Sequence, residues 1–362
     1  MPRAAIVHRK NEPMRVEEVT LRPLREGELR IRMAACGVCH SDLSVLNEFF
    51  ACPTPVILGH EAAGIVLETG PGVVSVAPGD AVVAAWSPAC RTCRYCRAGK
   101  LHLCRLTDDP TGAARGRVRQ GDTEVAQFLG VGGFAEEAIL SENAVVKLDP
   151  SMPLDKASLL GCAVVTGYGA ARFAAKVKPG DEVAVFGCGG VGLNVLQGAR
   201  LAGARTIVAI DLDDAKLDLA RRFGATHVLR GDMPDLHKAV RKLTVEGQGV
   251  DFAFDAVGNV AIERTAFSCL CKGGELILVG IAHMKDRFEL VQIAAVTQEK
   301  TVRGTTAGSA NLWETVPELV SLYRKGELRL DELVTRRYRL DDVNEAMSDL
   351  REGRNARGVI IF

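Results

Sequence analysis

Between an apolar stretch, Glu182 to Phe186, and an apolar helical pattern from about Gly190 to Leu201 stands the run Gly187-Cys188-Gly189-Gly190-Val191-Gly192. A strand that passes through glycines straight into a helix has few folds open to it, and the natural one is a parallel crossover unit. The rest of the segment repeats that rhythm. Thr206 to Ile210 reads as a second strand and Asp214 to Phe223 as a second helix. Val250 to Phe254, Glu275 to Val279 and Thr301 to Gly304 read as later strands. Alternation of this kind predicts an α/β fold with a doubly wound parallel Rossmann sheet.

Each glycine of the loop has a separate task. Gly187 permits the tight turn, Gly189 lets backbone approach a pyrophosphate, and Gly192 lets helix and strand pack closely. Gly190 and Val191 open the helix, whose unpaired N–H groups and dipole favour phosphate. Asp211 ends the next strand, where it can accept hydrogen bonds from ribose hydroxyls. Leu212, Asp213 and Asp214 follow it, so no arginine is at hand to offset a ribose phosphate. NAD is therefore expected over NADP. Lys216 can reach the same ribose or can simply face solvent.

The first 90 residues have a different texture. Leu29-Arg30-Ile31-Arg32-Met33 alternates as a half-buried strand does, Ala4 to Val7 reads as another, and Gly70-Pro71-Gly72 and Pro78-Gly79-Asp80 signal turns. Residues 107 to 123 carry many Gly, Arg and Asp and few large apolar groups, so an exposed loop is expected there. Helix signals return from about Leu312, and Val359 to Phe362 reads as a closing strand.

Cys90, Cys93, Cys96 and Cys104 have the spacing of a closed tetrahedral Zn²⁺ site. Such a site leaves no position for substrate and folds a lobe too poor in apolar residues to fold alone. An iron–sulfur cluster is the competing ligand reading. Arg91, Arg94, Arg97, Lys100 and Arg105 surround the cysteines and offset the charge of a zinc tetrathiolate. Lys plus Arg number 45 and Asp plus Glu number 45. That balance gives no general pull toward nucleic acid or membrane. No run is long enough to span a bilayer. Eleven cysteines without a secretion signal read as thiols and thiolates, so a cytoplasmic enzyme is expected.

Taken together, Gly37-Val38-Cys39-His40-Ser41-Asp42, Gly59-His60-Glu61-Ala62-Ala63-Gly64, the four-cysteine lobe, Gly161-Cys162 with Thr166-Gly167-Tyr168-Gly169, and the glycine loop resemble the zinc-dependent medium-chain alcohol dehydrogenases over nearly the whole length. The resemblance implies a GroES-like catalytic domain over residues 1–163, with the zinc lobe at about 88–106. It also implies a Rossmann domain over 164–304 and a return segment, 305–362, that completes the catalytic domain. It implies two Zn²⁺ per chain, a catalytic one on Cys39, His60 and Cys162 and a structural one on the four-cysteine lobe. Two thiolates and a neutral imidazole do balance the charge of Zn²⁺ and leave a fourth position open.

Further roles follow from the same resemblance. Asp42 hydrogen-bonds His60 and fixes its tautomer, and Glu61 approaches the metal from behind, a buried salt bridge being the plainer alternative. Ser41 takes the alcohol proton. Relatives often continue the relay with a histidine three positions later, where this chain has Ser44, so the relay must end elsewhere. His40 and Arg357 contact the cofactor pyrophosphate, Thr166 and Val279 also bind cofactor, and Trp86, Phe50, Phe128 and Ile281 line the substrate channel. Arg115, Arg117 and Arg119, at alternate positions, can shape its mouth or bind an anionic substrate group, or they stand in a solvated loop. The implied activity is hydride transfer between NAD and a primary, bulky or aromatic alcohol, by a homodimer. The nearest alternative substrate is a thiol adduct of formaldehyde. A non-catalytic zinc module is disfavoured because the cofactor loop and the open ligand set occur together.

Overall fold

Arg30 and Arg32 point outward from the strand Glu28–Gly37, while Leu29, Ile31, Met33 and Ala35 are buried. That alternation makes the strand the spine of the first of two units in the computed structural model, which describes residues 1–362. This unit comprises Met1–Ala163 and Asn311–Phe362, and the second comprises Val164–Ala310.

In the first unit the spine pairs antiparallel with Glu61–Thr69, with Glu137–Ser141 and with the C-terminal strand Arg357–Ile361. A second sheet runs from Arg15–Glu18 through Arg3–Val7 and Val56–Ile57 to the hairpin Val118–Gln120 and Thr123–Gln127. Ile6, Leu29, Ile31, Leu58, Phe134 and Leu140 are fully buried in the core of this unit. Each such side chain contributes ~1.5–3 kcal/mol by leaving water.

Residues 107 to 123 are not the exposed loop that their composition suggests. Asp109 Oδ1 accepts from the Gly112 amide at 2.7 Å and caps the short helix Pro110–Ala113. Val118–Gln120 then enters the sheet. Arg117 is buried, its Nε 3.0 Å from Glu28 Oε1, and Arg22 grips the same carboxylate at 2.7 and 2.9 Å. Arginine marks solvent only when it lacks a partner, and here the partner lies on a distant strand. Arg119 stays at the surface and donates to the Asp122 carbonyl.

The second unit is a six-stranded parallel sheet in the order His227–Arg230, Thr206–Asp211, Glu182–Phe186, Val250–Asp255, Leu270–Leu278, Thr301–Gly304. The central strand is buried along its length, as a strand covered on both faces must be. Five of the strands were legible from the sequence. The sixth, His227–Arg230, is a half-exposed edge strand with polar ends and no apolar run to announce it. The order reverses between Glu182–Phe186 and Val250–Asp255, so the carboxyl ends of these two strands flank the crevice where such sheets take ligands. The chain leaves this unit only at Asn311, not at 305, because Gly308 packs against Thr166 and Gly169. No single helix is long and apolar enough to cross a membrane.

Burial raises the Glu28 carboxyl, but Arg22, the Arg25 amide and Arg117 outweigh it and bring it down to about 2, from 4.5. Burial also disfavours the Arg117 charge, yet guanidinium titrates too high to lose its proton near neutrality. A depressed carboxylate stabilises the fold fully above its unfolded value and loses that contribution as pH falls from about 4.5 toward about 2. The contribution at neutral pH is about 3 kcal/mol at most. We predict that Glu28→Gln loses about that much at pH 7 and that its unfolding free energy converges on that of the wild type near pH 2. Chemical denaturation across pH measures this, and parallel curves that never converge would contradict it.

Candidate functional site

The pairing of Glu28–Gly37 with Glu61–Thr69 places Gly37 opposite Glu61. Cys39 lies just beyond the end of one strand and His60 just before the start of the other, so two residues distant in sequence reach one sheet edge. Cys162 follows the tight turn Ser158–Gly161, which lies against the backbone of Ala84. The ligand atoms of Cys39, His60, Glu61 and Cys162 lie within 4.8 Å of one another, and all four residues are buried.

Asp42 organises this cluster. Its Oδ2 accepts from the Cys39 amide at 3.2 Å, and its Oδ1 accepts from the Gly59 amide at 2.9 Å. The same Oδ1 is 3.2 Å from His60 Nδ1. One fully buried carboxylate thus holds both loops and commits Nδ1, which leaves Nε2 for the cluster. Burial disfavours the imidazolium, but Asp42 and Cys39 raise its pKa regardless. Cys162 hydrogen-bonds Cys39 and lowers the Cys39 pKa against the effect of burial, with Arg357 and His60 assisting.

Glu61 is fully buried, and neither of its oxygens accepts a hydrogen bond. Arg357 Nη2 lies 3.1 Å from Glu61 Oε1, an ion pair without hydrogen-bond alignment. Burial pushes the Glu61 carboxyl up to about 7, with Arg357 opposing and Cys39 adding to the rise. A divalent ion nearby would draw it back down. Buried sulfurs, a committed imidazole and an orphaned carboxylate form a donor set that suits Zn²⁺.

Other expected residues fall as follows. Ser41 Oγ is 3.9 Å from Cys39 Sγ, in the first turn of the helix His40–Leu46, and His40 opens that helix at the surface. The Ser44 hydroxyl donates to the His40 carbonyl at 2.9 Å, a local bond within the helix. Arg357 is buried and donates to the Val38 carbonyl, and its Nε is left without a partner. Phe128 is buried and turns its ring edge-on to His60, with centroids 5.7 Å apart and planes at 86°. Trp86 and Phe50 are half-buried against the same core, and the Trp86 indole N–H has no acceptor.

In the second unit, Gly187 has φ +92, open to glycine but costly for other residues. A Cβ on Gly192 would stand 1.7 Å from the Gly187 carbonyl, whereas one on Gly189 would meet nothing within 4 Å. The middle glycine therefore faces open space, as a pyrophosphate cradle requires. Gly190 and Val191 start the helix Gly190–Leu201. Asp211 accepts from the amides of Cys188 at 2.7 Å, Leu212 at 2.8 Å and Asp213 at 3.1 Å. Lys216 is half-buried in the following helix. The Thr166 hydroxyl is buried without a partner, Val279 is buried with its amide on the Asp255 carbonyl, and Ile281 is exposed.

The four cysteines of the lobe also lie with their ligand atoms within 4.8 Å of one another. The amides of Cys90, Cys93 and Leu106 point at these sulfurs at 3.2 to 3.5 Å, as they would at thiolates. Sequence reasoning missed Trp313, which packs on the lobe. Its indole N–H donates to the Val145 carbonyl at 3.0 Å, and Arg91 lies over its ring at 5.4 Å. The only available signal was a tryptophan on an otherwise ordinary amphipathic helix.

Comparison with known proteins agrees with this architecture. Residues 25–150 match the alcohol dehydrogenase GroES-like domain family, and residues 190–325 match the zinc-binding dehydrogenase family. The NDMA-dependent alcohol dehydrogenase of Amycolatopsis methanolica is 40% identical over 99% of this chain and 98% of its own. The S-(hydroxymethyl)glutathione dehydrogenase of Paracoccus denitrificans is 37% identical over 99% of each. The benzyl alcohol dehydrogenase of Acinetobacter calcoaceticus superposes with TM-score 0.94 at 30% identity, covering 100% of this chain and 99% of the other. The chain belongs to the zinc-dependent medium-chain alcohol dehydrogenases. It is an alcohol dehydrogenase that works with NAD(P) and zinc on alcohols and aldehydes of small-molecule size.

The two cysteine-bearing clusters make metal content a direct check. We expect two zincs per chain by elemental analysis, falling to one in Cys162→Ser and to one in Cys96→Ser. Only the second should also lower the melting temperature sharply, because the lobe has little core of its own. One zinc or none in the wild type would contradict the assignment.

Proposed function

We propose that this chain oxidises primary alcohols with bulky or aromatic substituents, using NAD. Cys39, His60 and Cys162 hold the catalytic zinc, and Cys90, Cys93, Cys96 and Cys104 hold the structural one. The observation that carries the reading is the Phe128 ring set edge-on against His60. It makes an apolar aromatic wall beside the open ligand set, and a flat ring gains from an edge or offset contact there. Trp86, with its unpaired indole N–H, would narrow the same region against branched alcohols. The activity in the name of the Acinetobacter relative supports this substrate class.

A bound zinc supplies Lewis acidity that lowers the pKa of a hydroxyl, and NAD supplies the hydride acceptor. The remaining work belongs to the protein. Asp42 orients His60, and Glu61 with Arg357 sets the charge behind the ligands. Ser41 Oγ accepts the alcohol proton as its own hydroxyl proton passes to water. Ser44 does not extend that path, since its hydroxyl is bonded to the His40 carbonyl. Gly187 to Gly192 receive the pyrophosphate on the N-terminus of the helix that they open. Asp211 receives the ribose hydroxyls on lone pairs left over from its three amide bonds, Lys216 flanks them, and Thr166 and Val279 contact the far end of the cofactor. The segment 281–296 exposes six large apolar side chains, Ile281, Met284, Leu290, Val291, Ile293 and Val296, which fits burial against a second copy in a homodimer.

We expect kcat/KM with NAD to exceed that with NADP by at least ~10-fold, from the charge of Asp211 against a ribose phosphate. Benzyl-type alcohols should exceed secondary alcohols in absorbance assays at the NADH band. Equal use of NADP would overturn the cofactor reading. The second substrate reading, a thiol adduct of formaldehyde, is favoured by the Paracoccus relative. Turnover of formaldehyde only with added glutathione or mycothiol would select it. Ser41→Ala should cost ~10²-fold or more in kcat, whereas Ser44→Ala should leave kcat within ~2-fold because its bond is local to the helix. The reverse ranking would remove Ser41 from proton transfer.

A further inference from the structure

The charge of this chain is balanced overall, but not locally. No acidic residue occurs between Asp80 and Asp108, while Arg91, Arg94, Arg97, Lys100 and Arg105 all fall in that interval. These five cations outnumber the two negative charges that a zinc tetrathiolate would place among them. Two of them have partners. Arg91 lies over the Trp313 ring. The Arg94 guanidinium lies 4.6 Å from the Tyr95 ring centroid and donates to its hydroxyl at 3.2 Å, which holds its fork in one place. Arg97 and Arg105 make no ion pair with any carboxylate, in a protein whose other arginines are widely paired.

Three of the five, Arg94, Arg97 and Arg105, line one open cleft of about 430 Å³, together with Thr92, Cys93 and Tyr95. That size admits a small organic ligand rather than only an ion. Arg94, Arg97 and Arg105 all border the cleft, and the two without a partner carry more N–H donors than a single carboxylate can accept. A phosphate dianion has three terminal oxygens and matches the forks bidentately.

We propose that the cleft on the four-cysteine lobe is a binding site for a small phosphate-bearing molecule, anchored by Arg97 and Arg105 and positioned by Arg94. The cleft shares no residue with the dinucleotide loop or with the Cys39, His60 and Cys162 cluster. It does not depend on the alcohol this enzyme oxidises. Its dependence on the lobe makes it a property of the zinc-loaded protein.

Calorimetry on the zinc-loaded protein saturated with NAD, so that the dinucleotide site is filled, tests the assignment at about 0.1 M ionic strength. The probes are inorganic phosphate, glycerol phosphate and citrate. The expected result is saturable binding of a phosphate probe at one site per chain, weakened at least ~10-fold in Arg97→Gln/Arg105→Gln. Zinc content and alcohol turnover should be unchanged in the variant, which shows that it folds. Tighter glycerol phosphate identifies an organic ester as the ligand, and equal affinities identify free phosphate. Arg97→Lys/Arg105→Lys, which keeps the charge and removes the fork, should fall between wild type and the glutamine variant. No saturable binding up to ~10 mM, equal binding in the glutamine variant, or citrate as tight as the phosphates would overturn the proposal.

Discussion

The antiparallel pairing of Glu28–Gly37 with Glu61–Thr69 is the constraint on which the ligand cluster depends. It brings the residue after one strand and the residue before the other to a common edge. Asp42 then locks the two loops with hydrogen bonds to Cys39, Gly59 and His60. A buried carboxylate with three partners is expensive to disturb, since removing any of them strands the others. The same spine receives the C-terminal strand, which carries Arg357 to Glu61. A residue five positions from the C-terminal end is therefore part of the ligand environment.

Charge is handled differently at three places in the first unit. At Glu28 two arginines clamp one carboxylate and keep it ionised. At Glu61 burial and a neighbouring thiolate leave a carboxyl poised near neutrality until a cation balances it. On the four-cysteine lobe the balance is incomplete, and Arg97 and Arg105 border an open cleft without a carboxylate partner. Pairing strength follows desolvation and geometry in each case, not the number of charges nearby.

Much of the site was legible because its signals are local. Three glycines of fixed spacing between an apolar strand and helix describe a backbone shape, and Gly187 and Gly192 take the forms such a shape demands. Four cysteines close in sequence can meet only in one small lobe. Four of the parallel strands announced themselves by apolar runs, whereas His227–Arg230 and Thr301–Gly304 lie at the two sheet edges and have little to bury. Residues 107 to 123 were misjudged for a related reason. Their arginines signal solvent until the chain delivers Glu28 to Arg117, and no window of neighbouring residues contains that information.

Residue order alone determined the doubly wound sheet, and it marked out the glycine loop and the four-cysteine lobe as candidates, because each of these rests on spacing or residue chemistry within a short segment. Only the tertiary structure decided that Arg357 lies buried against Glu61, that Phe128 stands beside His60, that Trp313 supports the cysteine lobe, and that Arg97 and Arg105 are left unpaired over a cleft. Those facts depend on contacts between distant segments. Such contacts are chosen by burying apolar area and satisfying polar groups across the whole fold, and no local pattern in the chain encodes them.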